Sequence, residues 1–209
     1  MNRLAMPKEH WENVYQTKST DQVSWFQTRA DSSIRLIEAT GMGHSAAIID
    51  VGSGAAKLID DLWHEGFREL TVLDISAAAL KTTKQRLGTE ISAAIDWRVG
   101  DILGCDLPHQ RYLIWHDRAV FHFFTETAQQ QAYIQQVRTA LQVGGYVVIA
   151  TFAEDGPERC SGLPVQRYSV AKLAATFGAD FELVHAERET HQTPQGSEQK
   201  FIYCVLRRV

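Results

Sequence analysis

The sequence predicts an α/β fold built on a mostly parallel sheet, and two patterns support this. Short apolar runs alternate with segments in which apolar residues recur at helical spacing, from about residue 46 to residue 177. The last two apolar runs, 181–188 and 200–207, have no helical segment between them. They therefore predict an antiparallel hairpin at one edge of the sheet. A chain of 209 residues is long enough for one domain of this kind.

Five apolar runs predict the parallel strands. Each is four or five residues long and is followed by turn residues or by a helical segment, as buried strands are. The first run ends in Asp50 and the second in Asp74, so both place a carboxylate at the end of a strand. In order, the runs are 46–50, 70–74, 95–99, 112–115 and 146–150.

Cap residues predict where the helices begin and end. Ser76 and Ser169 each precede a helical segment and are typical N-caps. Thr125 or Thr127 is predicted to cap the long helix before the fifth strand. Gly88 is predicted to end the helix after the second strand, because glycine readily adopts the left-handed backbone found at helix ends.

Composition and charge limit which binding partners and which cellular compartment are expected. The net charge is −4 and no block of lysine or arginine occurs, so a nucleic-acid partner is not expected. No apolar run approaches the ~18 residues that a membrane helix needs, and Met1–Trp11 lacks the apolar centre of a signal peptide. Cys105, Cys160 and Cys204 are widely spaced and odd in number, which argues against a zinc cluster or a disulfide framework. We therefore expect a cytoplasmic protein without a metal site or a membrane span.

A glycine-rich turn follows the first strand. Its two glycines permit a tight turn and let a ligand approach the backbone closely. Asp74 ends the second strand, where a carboxylate accepts hydrogen bonds from both ribose hydroxyls of a nucleotide. A plain strand-to-helix turn and a helix-capping aspartate are the alternative interpretations. The predicted nucleotide site includes Asp50, Gly52, Ser53, Gly54 and Asp74.

A third acid, Asp101, follows the third predicted strand. Its carboxylate is placed to accept a hydrogen bond from the exocyclic amine of an adenine, while Ile102 covers the ring. A surface-turn aspartate is the alternative. Because parallel strands end at the same edge of a sheet, Asp101 is expected to lie near the glycine turn and Asp74.

The residues around the glycines indicate the type of cofactor. A dinucleotide motif carries Gly or Ala where this chain has Lys57, because close packing of helix and strand needs a small residue there. Asp50, two residues before the first glycine, suits a cofactor with an ammonium group. These features favour S-adenosylmethionine over NAD, with an NAD(P)-dependent oxidoreductase as the alternative.

Four short motifs occur in order: Asp50–Gly54, Val72–Ser76, Gly100–Ile102 and Leu141–Gly145. With them the chain resembles the class I S-adenosylmethionine-dependent methyltransferases over about residues 8–207. The resemblance implies a Rossmann-like sheet of seven strands in the order 3-2-1-4-5-7-6, with strand seven antiparallel and helices on both faces. It also implies a cap segment at 1–40, a methyltransferase domain at 41–209, Ile75 beside the bound cofactor, and S-adenosylhomocysteine as a product.

The segment after the predicted fourth strand is where this family holds acceptor-side residues. His116 and Asp117 are predicted to contact the methionine part of the cofactor or the acceptor, and His116 is a candidate base. Arg118 is predicted to bind an anionic acceptor or to pair with Asp117. The alternative interpretation of His116 and Asp117 is a structural hydrogen-bond network at the end of the strand, and that of Arg118 is an internal ion pair. His122 is expected to pack in the core rather than to act as a base.

Large aromatic residues precede the sheet. Trp11 and Tyr15 are four residues apart and share one face of a helix, and Trp25 follows them. Small members of the resembled family fold an N-terminal helix across the cofactor. We therefore predict that these three residues enclose the sulfonium, partly by cation–π attraction. Ordinary packing on the sheet is the alternative.

The predicted acceptor is a small molecule such as a thiol or a chalcogen compound, because the chain has no large insertion and no basic surface run. The tryptophan-rich start resembles both small-molecule and elongation-factor lysine methyltransferases, so a protein lysine is the alternative acceptor. A further alternative function is that of a protein that binds S-adenosylmethionine without catalysing a methyl transfer. The loop 154–164 is expected to shape the substrate side, with Cys160 as a thiol ligand or an inert cysteine. No oligomeric state is predicted.

Overall fold

The computed structural model describes residues 7–209. Within that range the α-helices are α1 Lys8–Thr17, α2 Asp31–Ala39, α3 Leu58–His64, α4 Ala77–Ala93, α5 Thr127–Ala140 and α6 Val170–Phe177. Two single-turn 3₁₀ helices lie at Thr20–Gln22 and Phe121–Phe123. The strands are β1 Ile48–Val51, β2 Leu70–Asp74, β3 Asp96–Val99, β4 Tyr112–Arg118, β5 Leu141–Phe152, β6 Arg159–Cys160, β7 Leu163–Pro164, β8 Phe181–Gln192 and β9 Glu198–Arg208.

Seven of these strands form one sheet in the spatial order β3-β2-β1-β4-β5-β9-β8. Neighbours from β3 to β5 are parallel, whereas β9 is antiparallel to both β5 and β8. The short hairpin of β6 and β7 lies outside this sheet. In chain order, β8 and β9 are therefore the sixth and seventh strands of the seven-stranded sheet. The predicted order 3-2-1-4-5-7-6 and the antiparallel last strand are confirmed.

The two faces of the sheet carry separate apolar cores. Ile48 on β1 packs with α2, α3 and α4, while the next residue, Ile49, points to the other face and packs with α5 and α6. This alternation follows from the pleat of a strand, which sends successive side chains to opposite faces. Helices therefore cover both faces, as predicted. Residues 7–209 contain no helix that combines the length and the apolar character needed to span a bilayer.

Three local predictions need correction. β4 continues to Arg118, beyond the predicted end at residue 115, because residues 114–118 pair in register with β5. Glu126, rather than Thr125 or Thr127, caps α5: its side chain accepts from the backbone of Gln129, whose side chain in turn accepts from the Glu126 N–H.

Gly88 also departs from its prediction. It has a φ of 79° and interrupts α4, but helical residues resume and continue to Ala93. Ser76 and Ser169 cap α4 and α6 as predicted, since each hydroxyl accepts a bond from the backbone N–H three residues later.

The segment before β1 consists of α1, a 3₁₀ turn and α2. The first six residues of the predicted cap, 1–40, lie outside the described residues. The division of the chain into a cap and a domain at 41–209 stays a prediction.

Candidate cofactor and acceptor site

A cavity opens at the carboxyl ends of β1, β2 and β4, beneath α1. We call it the main cavity. This is the edge at which open α/β sheets bind ligands, because the loops that follow adjacent strands diverge there. Most predicted site residues line it: Trp11, Tyr15, Trp25, Gly52, Asp74, Ile75, Asp101, Ile102 and Arg118.

Asp74 is buried at the end of β2 and lines the main cavity. Its Oδ2 accepts from the Gly54 N–H at 2.7 Å, and its Oδ1 accepts from the Ser76 N–H at 2.8 Å. Burial raises the pKa of this carboxyl to about 6, against the lowering effect of these two bonds. Each oxygen retains a further lone pair that a ribose hydroxyl can use.

The glycine turn passes close to neighbouring side chains. Gly52 and Gly54 have φ values of 66° and 57°, which favour glycine. A Cβ on Gly52 would lie 2.0 Å from Cγ2 of Val120, and one on Gly54 would lie 2.2 Å from the Tyr15 hydroxyl. Both positions therefore need glycine, because of the backbone conformation and because of the space available. Gly54 itself lines neither the main cavity nor the second cavity described below.

The predicted adenine side is formed by Ile75, Asp101 and Ile102, which line the main cavity together. Asp101 Oδ1 accepts from the Leu103 N–H at 2.9 Å, which orients its carboxylate in the loop after β3. Ile102 is almost fully buried. The three residues bring two branched apolar side chains and one carboxylate to the same end of the cavity.

An aromatic wall, made of Trp11, Tyr15, Trp25 and Phe123, closes the main cavity on the side of α1. Trp11 packs edge-to-face on Phe123 and Trp25, with ring centroids 5.1 Å and 5.9 Å away. Tyr15 and Trp25 are 6.2 Å apart in the same arrangement. The faces of such rings carry negative charge density and attract a cation.

One carboxylate fastens α1 to the start of α4. Glu12 accepts from the Ser76 hydroxyl at 2.8 Å and from the Ala78 N–H at 3.4 Å. The pKa of Glu12 is lowered, chiefly by the Ser76 bond. Because Ser76 follows Asp74 by two residues, this contact links the position of the aromatic wall to that of Asp74.

A second cavity adjoins the first and shares Trp25, Gly52 and Arg118 with it. It contains Asp50, Ser53 and His116, which the sequence analysis assigned to the cofactor. His116 Nδ1 lies 2.7 Å from Asp50 Oδ1, and its Nε2 lies 2.9 Å from the hydroxyl of Ser33 on α2. Both ring nitrogens of His116 are therefore already hydrogen-bonded.

Arg118 is nearly buried between the two cavities. Its Nε donates to the Tyr203 hydroxyl at 3.0 Å, and its two terminal nitrogens donate to the Trp25 carbonyl and to Glu189 Oε1, both at 3.3 Å. The guanidinium also lies 4.4 Å from the centre of the Phe201 ring. Its acidic partner is Glu189, so the predicted pairing with Asp117 does not form.

Asp117 lies in neither cavity, and its position does not support the predicted contact with the cofactor or acceptor. The carboxylate is fully buried and accepts from the Tyr133 hydroxyl at 2.5 Å and from the backbone N–H groups of Val120 and Phe121. Burial raises its pKa to about 6 despite the Tyr133 bond. Asp117 thus orders the turn after β4, which was the alternative interpretation.

His122 and Cys160 are both buried, and both are electrically neutral. Burial lowers the pKa of His122 to about 3, and its Nδ1 accepts from the Phe152 N–H. Cys160 lines the main cavity from β6, and burial raises the pKa of its thiol to about 12. Within residues 7–209 no cluster of three or more His, Cys, Asp or Glu side chains is arranged to hold a metal ion.

Sequence reasoning missed several lining residues, namely Ala119, Val120 and Phe123 after β4 and Gly100 after β3. Ala119 has a φ of 70°, a left-handed conformation that nothing in an alanine side chain signals. Their place after a predicted strand was the only available signal.

Residues 48–145 match a family model described as a methyltransferase domain. Over this segment, a little under half of the chain, the protein is similar to methyltransferase domains. The fold is shared with solved structures of low identity. One is the Burkholderia thailandensis 1,6-didemethyltoxoflavin-N1-methyltransferase with bound S-adenosylhomocysteine (TM-score 0.73, 18% identity, 97% of this chain and 87% of that chain). Another is a structure concerned with conversion of a disulfide into a thioacetal in echinomycin biosynthesis (TM-score 0.77, 16% identity, 97% and 92%).

Curated proteins that are similar to this chain carry a more specific name. EEF1A lysine methyltransferase 2 of Danio rerio is 26% identical over 157 residues, which cover 69% of this chain and 67% of that protein. The Mus musculus protein of the same name is 21% identical over 189 residues, covering 84% and 72%.

The residues present fit the cofactor. The buried Ser53 hydroxyl beside the second cavity and the Trp11 Nε1 of the aromatic wall have no hydrogen-bond partner among residues 7–209, so a ligand can satisfy them. Asp74 would hold the ribose, and Ile75, Asp101 and Ile102 the adenine. Asp50 would face the ammonium group. When bound, S-adenosylmethionine supplies a methyl group on a positively charged sulfur.

Proposed function

We propose that this methyltransferase acts on a small-molecule acceptor whose lone pair is free near neutral pH, such as a thiolate or a chalcogen anion. The observation that carries the proposal is the aromatic wall, which lines the main cavity under α1. An apolar wall beside the reacting atoms displaces water and helps to hold two small reactants in line, and positioning is the main requirement of a methyl transfer.

The groups that face this space support an acceptor that needs no base. In the described part of the chain no histidine lines the main cavity. The pKa of the Tyr15 hydroxyl is raised well above its usual range by burial and by Asp74, and the Cys160 thiol is neutral. A lysine ammonium, with a usual pKa of ~10.4, would have to lose a proton before it could attack.

A protein lysine is the second candidate acceptor, and the curated relatives favour it. They are named as lysine methyltransferases of elongation factor 1A and match most of this chain. The carboxylates of Asp74 and Asp101 line the main cavity, but in this proposal they bind the ribose and the adenine and are therefore not offered to a lysine ammonium.

The test is transfer of a labelled methyl group from S-adenosylmethionine to purified acceptors. The panel holds small thiols, selenide and telluride anions, and recombinant elongation factor 1A. We expect label on a small acceptor, with a rate that rises with pH until that acceptor is ionised. Label on the elongation factor together with none on any small acceptor would contradict the proposal.

A further inference from the structure

The connection between α1 and α2, residues 18–30, carries Trp25 into the site. Its one regular element is the 3₁₀ turn Thr20–Gln22, so neither a helix nor the sheet fixes the backbone at Trp25. The Trp25 ring nevertheless lines both the main cavity and the second cavity. Its position therefore depends on contacts that the connection makes with the rest of the chain.

Four consecutive backbone carbonyls of this connection, those of residues 22–25, all accept hydrogen bonds. The Val23 carbonyl accepts from the Phe26 N–H at 3.1 Å, which forms a turn inside the connection. The other three accept from side chains that lie at least 93 residues further along the chain. The pairs are Gln195 Nε2 with Gln22 at 2.7 Å, His191 Nε2 with Ser24 at 2.8 Å, and Arg118 with Trp25 at 3.3 Å. Three polar side chains thus fix the path of the backbone up to Trp25.

His191, near the end of β8, holds the peptide unit that leads into Trp25. The Ser24 carbonyl and the Trp25 Cα belong to one planar peptide unit, so fixing the carbonyl also fixes the direction in which the chain enters Trp25. A carbonyl can only accept, so Nε2 of His191 carries a proton and donates the hydrogen bond. Burial, followed by the charge of Arg118, lowers the pKa of His191, so its ring is neutral at pH 7.5.

The same strand also contacts the connection on the other side of Trp25. Residues two apart on a strand point to the same face, and Glu189 therefore lies on the same face of β8 as His191. Glu189 Oε1 accepts from Gln27 Nε2 at 3.4 Å and from the Arg118 guanidinium at 3.3 Å. The strand β8 thus holds the connection both before and after the Trp25 ring.

We propose that His191 is a positioning residue for Trp25, through which β8 fixes the aromatic wall between the two cavities. His191 is nearly buried and lines neither cavity, so it acts on the site only through the Ser24 carbonyl. Without that donor the carbonyl loses its partner, and the Trp25 ring loses its fixed place beside the reacting atoms. The proposal goes beyond the proposed function and holds for either acceptor.

The first measurement needs no acceptor. Protein labelled with 5-fluorotryptophan is observed by fluorine NMR with S-adenosylhomocysteine bound, and Trp25→Phe assigns the Trp25 signal. His191→Phe keeps an aromatic ring and removes the donor, so it should shift or broaden the Trp25 signal and leave those of Trp63, Trp97 and Trp115 in place. His191→Gln returns an N–H to the place of Nε2 and should restore the signal.

The second measurement is steady-state kinetics with whichever acceptor is methylated. His191→Phe should lower kcat about threefold to tenfold, the range for one lost hydrogen bond, and change KM for S-adenosylmethionine less than about twofold. His191→Gln should recover kcat. In a Trp25→Ala background, His191→Phe should cause no further loss, because its effect passes through the Trp25 ring.

His185→Phe is the matched control, since His185 is a half-exposed residue of the same strand that contacts Glu187 and lines neither cavity. It should leave kcat and the Trp25 signal unchanged. An unaltered Trp25 signal in His191→Phe, or losses of kcat that add in the double variant, would overturn the proposal. Should His191→Phe fail to fold, His191→Leu replaces it in both measurements. Transfer to elongation factor 1A alone would contradict the proposed function and leave this test intact.

Discussion

Asp74 performs two tasks at once, and they respond differently to substitution. Its oxygens accept from the Gly54 and Ser76 N–H groups and so shape the glycine turn, and the same carboxylate lines the main cavity, where we propose that it binds the ribose. Asp74→Ala would leave both N–H groups without an acceptor, at a cost to stability of about 1–3 kcal/mol each. Asp74→Asn keeps an oxygen and separates binding from stability.

We therefore predict that Asp74→Asn binds S-adenosylhomocysteine at least about tenfold more weakly than the wild type, because the ribose hydroxyls lose a charged acceptor. Its thermal unfolding midpoint should fall less than that of Asp74→Ala. Calorimetry and a thermal scan measure the two effects. Wild-type affinity in the Asn variant would mean that another group holds the ribose.

The pH dependence of binding follows from the same carboxyl. Its pKa of about 6 means that Asp74 is ionised above that pH and takes up a proton as the pH falls through it. The protonated form is a weaker acceptor, so the dissociation constant should be flat above pH 7. It should rise by up to about tenfold per pH unit below 6. The Asn variant is the control and should bind equally weakly across this range; a sloped profile in that variant would assign the titration to a different group.

At the scale of elements, α1 forms one wall of the site, and the Glu12 carboxylate joins it by hydrogen bonds to the start of α4. We predict that Glu12→Ala raises the dissociation rate of S-adenosylhomocysteine about threefold to tenfold, because the aromatic wall loses its contact with Ser76. Stopped-flow displacement measures this rate. Glu9→Ala, on the exposed part of the same helix, is the control and should release the ligand at the wild-type rate.

The aromatic wall should affect turnover more than cofactor affinity. Trp25→Ala is expected to lower kcat by up to about 100-fold, since a displacement of ~1 Å disturbs in-line attack, while the ribose and adenine contacts remain. Steady-state kinetics with an acceptor found in the panel measures it. Trp63→Ala, on α3 beside Arg68 and in neither cavity, is the control and should keep wild-type kcat. A larger loss of affinity than of kcat in Trp25→Ala would place this ring against the cofactor alone.

The elements were predictable where the signal is local. Ser76 and Ser169 indicated where their helices begin, and the apolar runs indicated where the strands lie along the chain. The partners of buried polar groups were not predictable, because they arise from packing between distant segments. Ser33 and His116 are 83 residues apart, and Asp117 is buried only because α5 brings Tyr133 to it. The same reason hid the contribution of Phe123 to the aromatic wall.

At the scale of the molecule, the site draws on the N-terminal helices, the glycine turn, β4 and the loop after β5. A ligand that contacts all of these should stabilise the whole fold. S-Adenosylhomocysteine at about 100 times its dissociation constant should add about 2.7 kcal/mol and raise the unfolding midpoint by about 5–11 °C. NADH should give no shift. A shift with NADH and none with S-adenosylhomocysteine would contradict the nucleotide assignment.

The most direct measurement is a crystal structure of the complex with S-adenosylhomocysteine. The account predicts both ribose hydroxyls within hydrogen-bond distance of Asp74 and the adenine between Ile75 and Ile102. It also predicts the amino-acid end beside Asp50 in the second cavity, with the sulfur facing the aromatic wall. A ligand that lies away from Asp74, or whose amino-acid end avoids the second cavity, would contradict it.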